Sequence, residues 1–147
     1  MTSTGVTRRC SIDVSWGDCD PAGIVFYPRY FAWFDHGAHR LLESVGLHHR
    51  ALTERWGVVG LSLVDAQASF RRPATYGSRL VVDSRVAAIG RSSLTVEHVI
   101  SEGGDVVASG REVRVWVARA GDDPRALRAA PIPAEVVRAL QTGMPTD

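Results

Sequence analysis

The sequence predicts an α+β fold in which one long helix lies against one antiparallel sheet. Three observations predict it. Between Tyr27 and Val45 apolar residues recur at helical spacing, with polar residues on the opposite face. After Gly57 the texture changes to strand-like segments separated by Gly and Pro turn signals. A second helical pattern closes the chain after Pro133. An order of strand, long helix, then a run of strands puts the helix on one face of a sheet rather than between parallel strands.

Taken in order, residues 8–16 alternate in part and place Cys10, Ile12, Val14 and Trp16 on one side of a strand. Asp20-Pro21-Ala22-Gly23 is a turn, because Pro fixes one dihedral and Gly permits a positive one. The long helix spans 27–45. Pro28 sits in its first turn, where a missing N–H does no harm, and Gly46 stands just past its end. Phe31, Phe34, Ala38, Leu41, Leu42 and Val45 form its apolar stripe; Asp35, His36, His39, Arg40 and Glu43 form the other face. Residues 48–56 make a short helix. Strands follow at 58–70, 79–89, 91–101 and 106–118, the last two joined by a Gly103-Gly104 hairpin. Residues 125–130 add a short edge strand and 133–140 a terminal helix. The ends, 1–7 and 142–147, are expected to be loose.

At 147 residues and 45% apolar content the chain fits a single domain with its core over about residues 8–140. Seventeen basic residues against sixteen acidic ones leave a net charge of +1 with no long basic stripe, which argues against nucleic-acid binding. No run approaches the roughly 20 apolar residues of a membrane span. Cys10 and Cys19 form no CxxC pair and the first residues carry no secretory pattern, so a cytoplasmic protein with reduced thiols is expected.

Chemistry concentrates in Trp16-Gly17-Asp18-Cys19-Asp20-Pro21-Ala22-Gly23-Ile24-Val25-Phe26-Tyr27-Pro28. Two carboxylates precede a turn that leads directly into a helix start, where free N–H groups and the helix dipole favour negative charge. Locally, Asp20 reads either as a turn residue or as a reacting carboxylate facing that site. The backbone N–H of Tyr27 is the foremost oxyanion donor, with Phe26 beside it; Pro28 has none to give. Asp18 reads as a support for the turn. Cys19 reads as a small buried residue, the rival being a nucleophile served by His36 or His39. Asp35, His36 and His39 have a spacing that metals use, but an i,i+4 Asp35–His39 pair on a polar face accounts for it, and no metal is expected. Tyr30, Phe31, Trp33 and Phe34 read as core or subunit contact.

The element order together with that string resembles the hotdog-fold thioesterases, most of all the 4-hydroxybenzoyl-CoA thioesterase branch. The resemblance runs from about Arg8 to Leu140. It rests on Gly17-Asp18-Cys19-Asp20-Pro21-Ala22-Gly23-Ile24-Val25-Phe26-Tyr27-Pro28 with Tyr30, and more weakly on Gly57-Val58-Val59-Gly60. It implies a five- or six-stranded antiparallel sheet wrapped around the long helix, and subunits paired as a homodimer or homotetramer with active sites at the interface. It implies hydrolysis of an acyl-CoA thioester without a cofactor, coenzyme A being part of the substrate. Asp20 would be the nucleophile or general base and Tyr27 N–H the oxyanion donor.

The resemblance further places Asp35 against a hydroxyl of the acyl ring and Phe26 against the acyl group. It places Arg91, Ser92 and Ser93 at the nucleotide end of CoA, where Arg125 and Arg128 add charge. Leu61-Ser62 departs from the Thr-Pro pair of the hydroxybenzoyl enzyme, which leaves another aryl or a short-chain acyl group open. An acyl-carrier-protein thioesterase of the same fold and a non-catalytic acyl-CoA-binding module are the alternatives.

Overall fold

A computed structural model describes residues 5–146. Strand β1 (Thr7–Asp13) leads through a 3-10 turn (Trp16–Asp18) to helix α1 (Pro28–Glu43) and helix α2 (His49–Trp56). Strands β2 (Gly60–Phe70), β3 (Arg79–Ile89), β4 (Ser93–Glu102), β5 (Asp105–Arg119) and β6 (Leu127–Ala129) follow, then helix α3 (Ala134–Thr142). The strands form one antiparallel sheet in the order β1-β3-β4-β5-β2, and β6 pairs with the end of β5. Helix α1 packs against β1, β2, β3, β4 and β5. This is the hotdog architecture, an α+β fold with the sheet around one long helix.

The helix forms where its stripe demands. Phe34, Ala38, Leu41, Leu42 and Val45 are buried as expected, and Tyr30, Trp33 and Gly37 join them. Its own core splits in two. Tyr30, Trp33 and Phe34 pack with Leu80, Ile100 and Ala108, whereas Ala38, Leu41, Leu42 and Val45 pack with Leu94, Val96 and Trp116. The first cluster marks the N-terminal end of α1 and the second its C-terminal end. The helix stops at Glu43, two residues short of the expected end, because Gly46 and Leu47 N–H groups return to the Glu43 and Leu42 carbonyls.

Other boundaries differ from expectation for local reasons. Strand β1 ends at Asp13, not at residue 16. The Asp18 carboxylate accepts the Ser15 N–H (2.8 Å) while Asp18 N–H bonds back to Ser15 C=O (3.0 Å), and this reciprocal bond curls the chain out of the sheet. Trp16 is therefore 77% exposed rather than in line with Cys10, Ile12 and Val14. Strand β4 begins at Ser93 because Gly90 N–H closes a turn on Ser93 C=O, leaving Arg91 and Ser92 in that turn. Strand β6 is confined to Leu127–Ala129 because Asp123 captures the Arg125 N–H and guanidinium. Helix α3 starts at Ala134, one residue after Pro133, and continues to Thr142.

The ends are tied down more than expected. Val6 N–H bonds Leu140 C=O, Thr146 N–H bonds Val45 C=O, and Arg55 reaches the Thr146 hydroxyl. Residues 1–4 and 147, the outermost part of the expected loose ends, lie outside the described residues. Among the described residues no helix is long and apolar enough to cross a membrane.

Candidate active site

The two aspartates of the opening string have different employment. Both Asp18 oxygens are occupied: one accepts the Ser15 N–H and the other faces Arg29 Nε at 3.6 Å. Asp20 stands in a turn of its own making. Its Oδ1 accepts the Ala22 N–H (2.9 Å), its C=O accepts the Gly23 N–H (2.9 Å), and its N–H donates to Ile24 C=O (2.9 Å). Gly23 closes this turn at φ +81°, a conformation glycine adopts without penalty. The other carboxylate oxygen of Asp20 has no partner among the described residues.

The same turn sets the helix start. A Cys19–Val25 bridge and an Ile24–Thr75 bridge lay the turn against the chain before β3. Val25 N–H is used by Ala74 C=O and Phe26 N–H by Asp18 C=O (2.8 Å). Of the two donor candidates, Phe26 is thus already bonded, and the Tyr27 N–H is without a partner among the described residues. Tyr27 caps α1 with helical φ −53° and ψ −32°, and Pro28 takes the next position. The reacting-carboxylate reading of Asp20 gains from this pairing of an unused oxygen with an unused N–H at one helix start.

The remaining candidates divide between the ends of α1. Phe26 is 48% exposed and packs edge-on to Tyr27. Arg91 and Ser92 lie beside the last turn-facing residues of β5: Ser92 C=O accepts from Trp116, and Arg91 C=O accepts from Ile132 just beyond β6. Arg128 sits on β6 opposite Ala118. These residues border the Trp116 end of the core, at the C-terminal end of α1, whose sixteen residues measure about 24 Å. Arg125 is paired with Asp123 (Nη2–Oδ2 2.9 Å), so it must exchange that partner before it can hold a phosphate. Cys19 packs at the edge of the Tyr30–Phe34 cluster.

Asp35 lies midway along α1, half-exposed, and is held by Arg114 Nη2 at 2.7 Å and faced by His39 Nε2 at 3.3 Å. Arg114 was not among the sequence candidates, nor were Glu112, His98 and Ser84. All four are buried on the core face of β5, β4 and β3. The signal was present: Glu112 and Arg114 share parity with Trp116 on β5, and His98 shares parity with Leu94, Val96 and Ile100 on β4. Charged residues in phase with the core positions of neighbouring strands must pair there.

They do. Ser84 Oγ lies 2.7 Å from His98 Nδ1, His98 Nε2 3.0 Å from Glu112 Oε2, and Arg114 Nη2 3.0 Å from Glu112 Oε1. Burial works against the charge on Glu112, but the His98 bond and the Arg114 guanidinium outweigh it and hold its carboxyl below the ordinary carboxylate range. For Arg114 burial is likewise outweighed by Glu112 and Asp35, which keep its pKa above the usual arginine value.

Neither of two cavities formed by the described residues is lined by Asp20, Phe26 or Tyr27. One of about 1020 Å³ covers the outer face of the sheet around Arg9, Asp83, Arg85 and Arg111. The other, about 110 Å³, lies between α1, α2 and the start of β2, with Leu42, Leu47, Leu52 and Leu61 as walls and His39 and His49 at its edge.

Removing the Tyr27 N–H tests the helix-start assignment without changing Asp18 or Asp20. Its φ of −53° suits proline, so Tyr27→Pro is expected to fold and to lower kcat by about 10²–10³-fold, the worth of one oxyanion donor. Tyr27→Phe, which keeps the N–H, is the control; equal activity of the two in a thiol-release assay would remove Tyr27 from the site.

Comparison with known proteins agrees with this fold. The thioesterase-like superfamily model matches residues 14–140. The chain is 35% identical over 131 residues to the 4-hydroxybenzoyl-CoA thioesterase of Pseudomonas sp. strain CBS-3, covering 84% of this chain and 90% of that protein. It is similar to the crystal structure of an Asp-to-Asn variant of a 4-hydroxybenzoyl-CoA thioesterase complexed with 4-hydroxybenzoyl-CoA, with TM-score 0.83, 30% identity, and 92% and 99% of the two chains covered. It is also similar to a gentisyl-coenzyme A thioesterase, with TM-score 0.78, 31% identity, and 89% and 99% covered. With the match spanning the Asp20 turn and strands β2 to β6, the chain belongs to the thioesterase-like superfamily.

Proposed function

We propose that this protein hydrolyses an aryl-CoA thioester to the free acid and coenzyme A. The observation that carries the reading is that one Asp20 oxygen and the Tyr27 N–H, in the turn and at the helix start it leads into, have no partner among the described residues. The sequence relatives named 4-hydroxybenzoyl-CoA and gentisyl-CoA thioesterases support the aryl class. In the first route Asp20 Oδ attacks the thioester carbonyl carbon, the oxyanion is held at Tyr27 N–H, and the C–S bond breaks to release the CoA thiolate. The resulting acyl-aspartyl anhydride is then cleaved by water. In the second, Asp20 takes a proton from water as the water oxygen attacks the same carbon, and collapse of the oxyanion breaks the C–S bond to release the free acid and coenzyme A. Either route consumes only water, so the proposal needs no metal or redox cofactor.

The active site on this reading belongs to a pair of subunits. Asp20 and Tyr27 lie at one end of α1, and the Arg91 turn and Arg128, proposed for the CoA phosphates, lie at the other. A second chain running alongside brings its Arg91 end toward this chain's Asp20. The surface fits that partner: among the described residues β2 has no strand on its outer edge, and Leu63, Val64 and Phe70 are exposed on it, with Phe26 and Tyr27 at the helix start.

A panel of 4-hydroxybenzoyl-, benzoyl- and short alkanoyl-CoA esters, together with an acyl-carrier-protein thioester, assayed by thiol release, tests the function. Preferred turnover of the aryl-CoA esters is the expected result. Preference for the carrier-protein thioester would replace this reading with the alternative of the same fold, and absence of turnover on every ester would end the enzymatic reading.

A further inference from the structure

Helix α1 begins with a residue that its own electrostatics disfavour. Its first turn holds Arg29 and no acidic side chain, whereas the positive end of a helix dipole favours the reverse. The cation is not left to solvent. Arg29 Nη2 donates to Gly17 C=O (3.3 Å), and Arg29 Nε lies 3.6 Å from Asp18 Oδ1. The Arg29 side chain is half-exposed, and an ion pair so exposed adds little to stability.

What the two contacts join is more telling than their strength. Gly17 and Asp18 belong to the 3-10 tip after β1, and Arg29 to the first turn of α1. Between them runs the loop of residues 19–25, which carries Asp20. One backbone bond closes that loop at its neck, from Phe26 N–H to Asp18 C=O (2.8 Å). Asp20 lies within the loop and Tyr27 just beyond its closing bond. The direction of the Tyr27 N–H relative to the Asp20 carboxylate therefore depends on how firmly the neck is held.

A single bond at the neck is a hinge. The Arg29 contacts reach back across it and make it a brace. Both ends of the brace are ordered. The Asp18 carboxylate is fixed by the Ser15 N–H (2.8 Å). On the helix side, Arg29 N–H bonds to Phe26 C=O (2.9 Å) and Tyr30 N–H to Tyr27 C=O (3.1 Å), so the first turn moves as a unit with Tyr27 in it.

We propose that Arg29 is a positioning residue for the reaction: it braces the Gly17–Asp18 tip against the first turn of α1 and so aims the Tyr27 N–H at the oxyanion formed opposite Asp20. This role rests on the thioesterase reading and deepens it. Arg29 acts without touching the substrate. Because it works only through the Tyr27 donor, its removal cannot cost more than removal of that donor, about 10²–10³-fold. A loss of about tenfold fits a donor displaced by a fraction of an ångström rather than lost.

The test is a pair of double-variant cycles on the full-length protein, with hydrolysis of 4-hydroxybenzoyl-CoA followed by thiol release. Arg29→Ala is expected to lower kcat by about tenfold, with KM and melting temperature nearly unchanged. Arg29→Lys keeps the charge, but its single ammonium lacks the fork that spans Gly17 C=O and Asp18, and it is expected to lose most of the same activity. Asp18→Asn still accepts the Ser15 N–H but gives up the charge that faces Arg29. It is expected to match Arg29→Ala, and the two together to lower kcat no further. In the Tyr27→Pro background, where no donor remains to aim, Arg29→Ala is expected to change kcat by less than about twofold. Should Tyr27→Pro fail to fold, the Asp18–Arg29 cycle decides alone. Parent-level kcat in Arg29→Ala, full activity of Arg29→Lys beside an impaired Arg29→Ala, or additive losses in either cycle overturns the brace alone. A fall in melting temperature that tracks the fall in kcat makes Arg29 merely structural and overturns it as well. No turnover by the parent overturns the thioesterase reading, and a Tyr27→Pro protein as active as the parent overturns the Tyr27 assignment; the role of Arg29 falls with either.

Discussion

Asp20→Asn is expected to leave the protein folded and to lower kcat for aryl-CoA hydrolysis by about 10²–10⁴-fold. The substitution is close to isosteric, and the asparagine Oδ1 still accepts the Ala22 N–H that shapes the turn. The Asp20 N–H and C=O bonds to Ile24 and Gly23 are backbone bonds and do not depend on the side chain. What is lost is the charge: an amide oxygen is a poor nucleophile and cannot take a proton from water in either route. Asp18 cannot substitute, because its oxygens are committed to Ser15 and Arg29. The expected signature is therefore a fall in kcat with KM and melting temperature nearly unchanged. Turnover within about tenfold of the parent would sink the assignment and return Asp20 to a turn residue.

The fold was largely legible because its signals are periodic. The stripe of α1 and the alternation of β3, β4 and β5 depend only on which residues face the core, and each element appeared close to where its period placed it. What escaped was local polar competition. Trp16 continues the apolar parity of β1, yet the Ser15–Asp18 reciprocal bond takes the chain out of the sheet before Trp16 is reached. The candidate site was legible in part for the opposite reason: Asp20 and Tyr27 lie in one contiguous string, so a linear motif contains them. Asp35 was found through resemblance, but its partner Arg114 is 79 residues away, and only strand register brings them together. The choice between Phe26 and Tyr27 as donor also needed coordinates, because the carbonyl that occupies Phe26 N–H belongs to Asp18 across the turn.

Glu112→Ala is expected to be the most damaging single change outside the reacting groups, costing about 3–5 kcal/mol of stability. It leaves the Arg114 guanidinium buried without its main counter-ion and takes the acceptor from His98 Nε2, both in a region where neither side chain is more than 3% exposed. For a chain of this size the loss corresponds to a melting temperature lower by roughly 6–20 °C. The penalty comes from stranding a charge, not from losing a favourable pair. Glu112→Leu combined with Arg114→Met is accordingly expected to recover part of the loss, while His98 still lacks its acceptor. Acidity gives the sign of a second check. The Glu112 carboxyl lies below its ordinary value in the folded protein, so its contribution is fully present above about pH 4.3, the unfolded value, and is lost as pH falls through the folded one. The gap in melting temperature between parent and Glu112→Ala should therefore be constant from neutral pH to about pH 5 and narrow only in stronger acid. A variant melting within about 1 kcal/mol of the parent at neutral pH would mean that Arg114 finds another partner or solvent, and that the buried chain is looser than its short bonds imply.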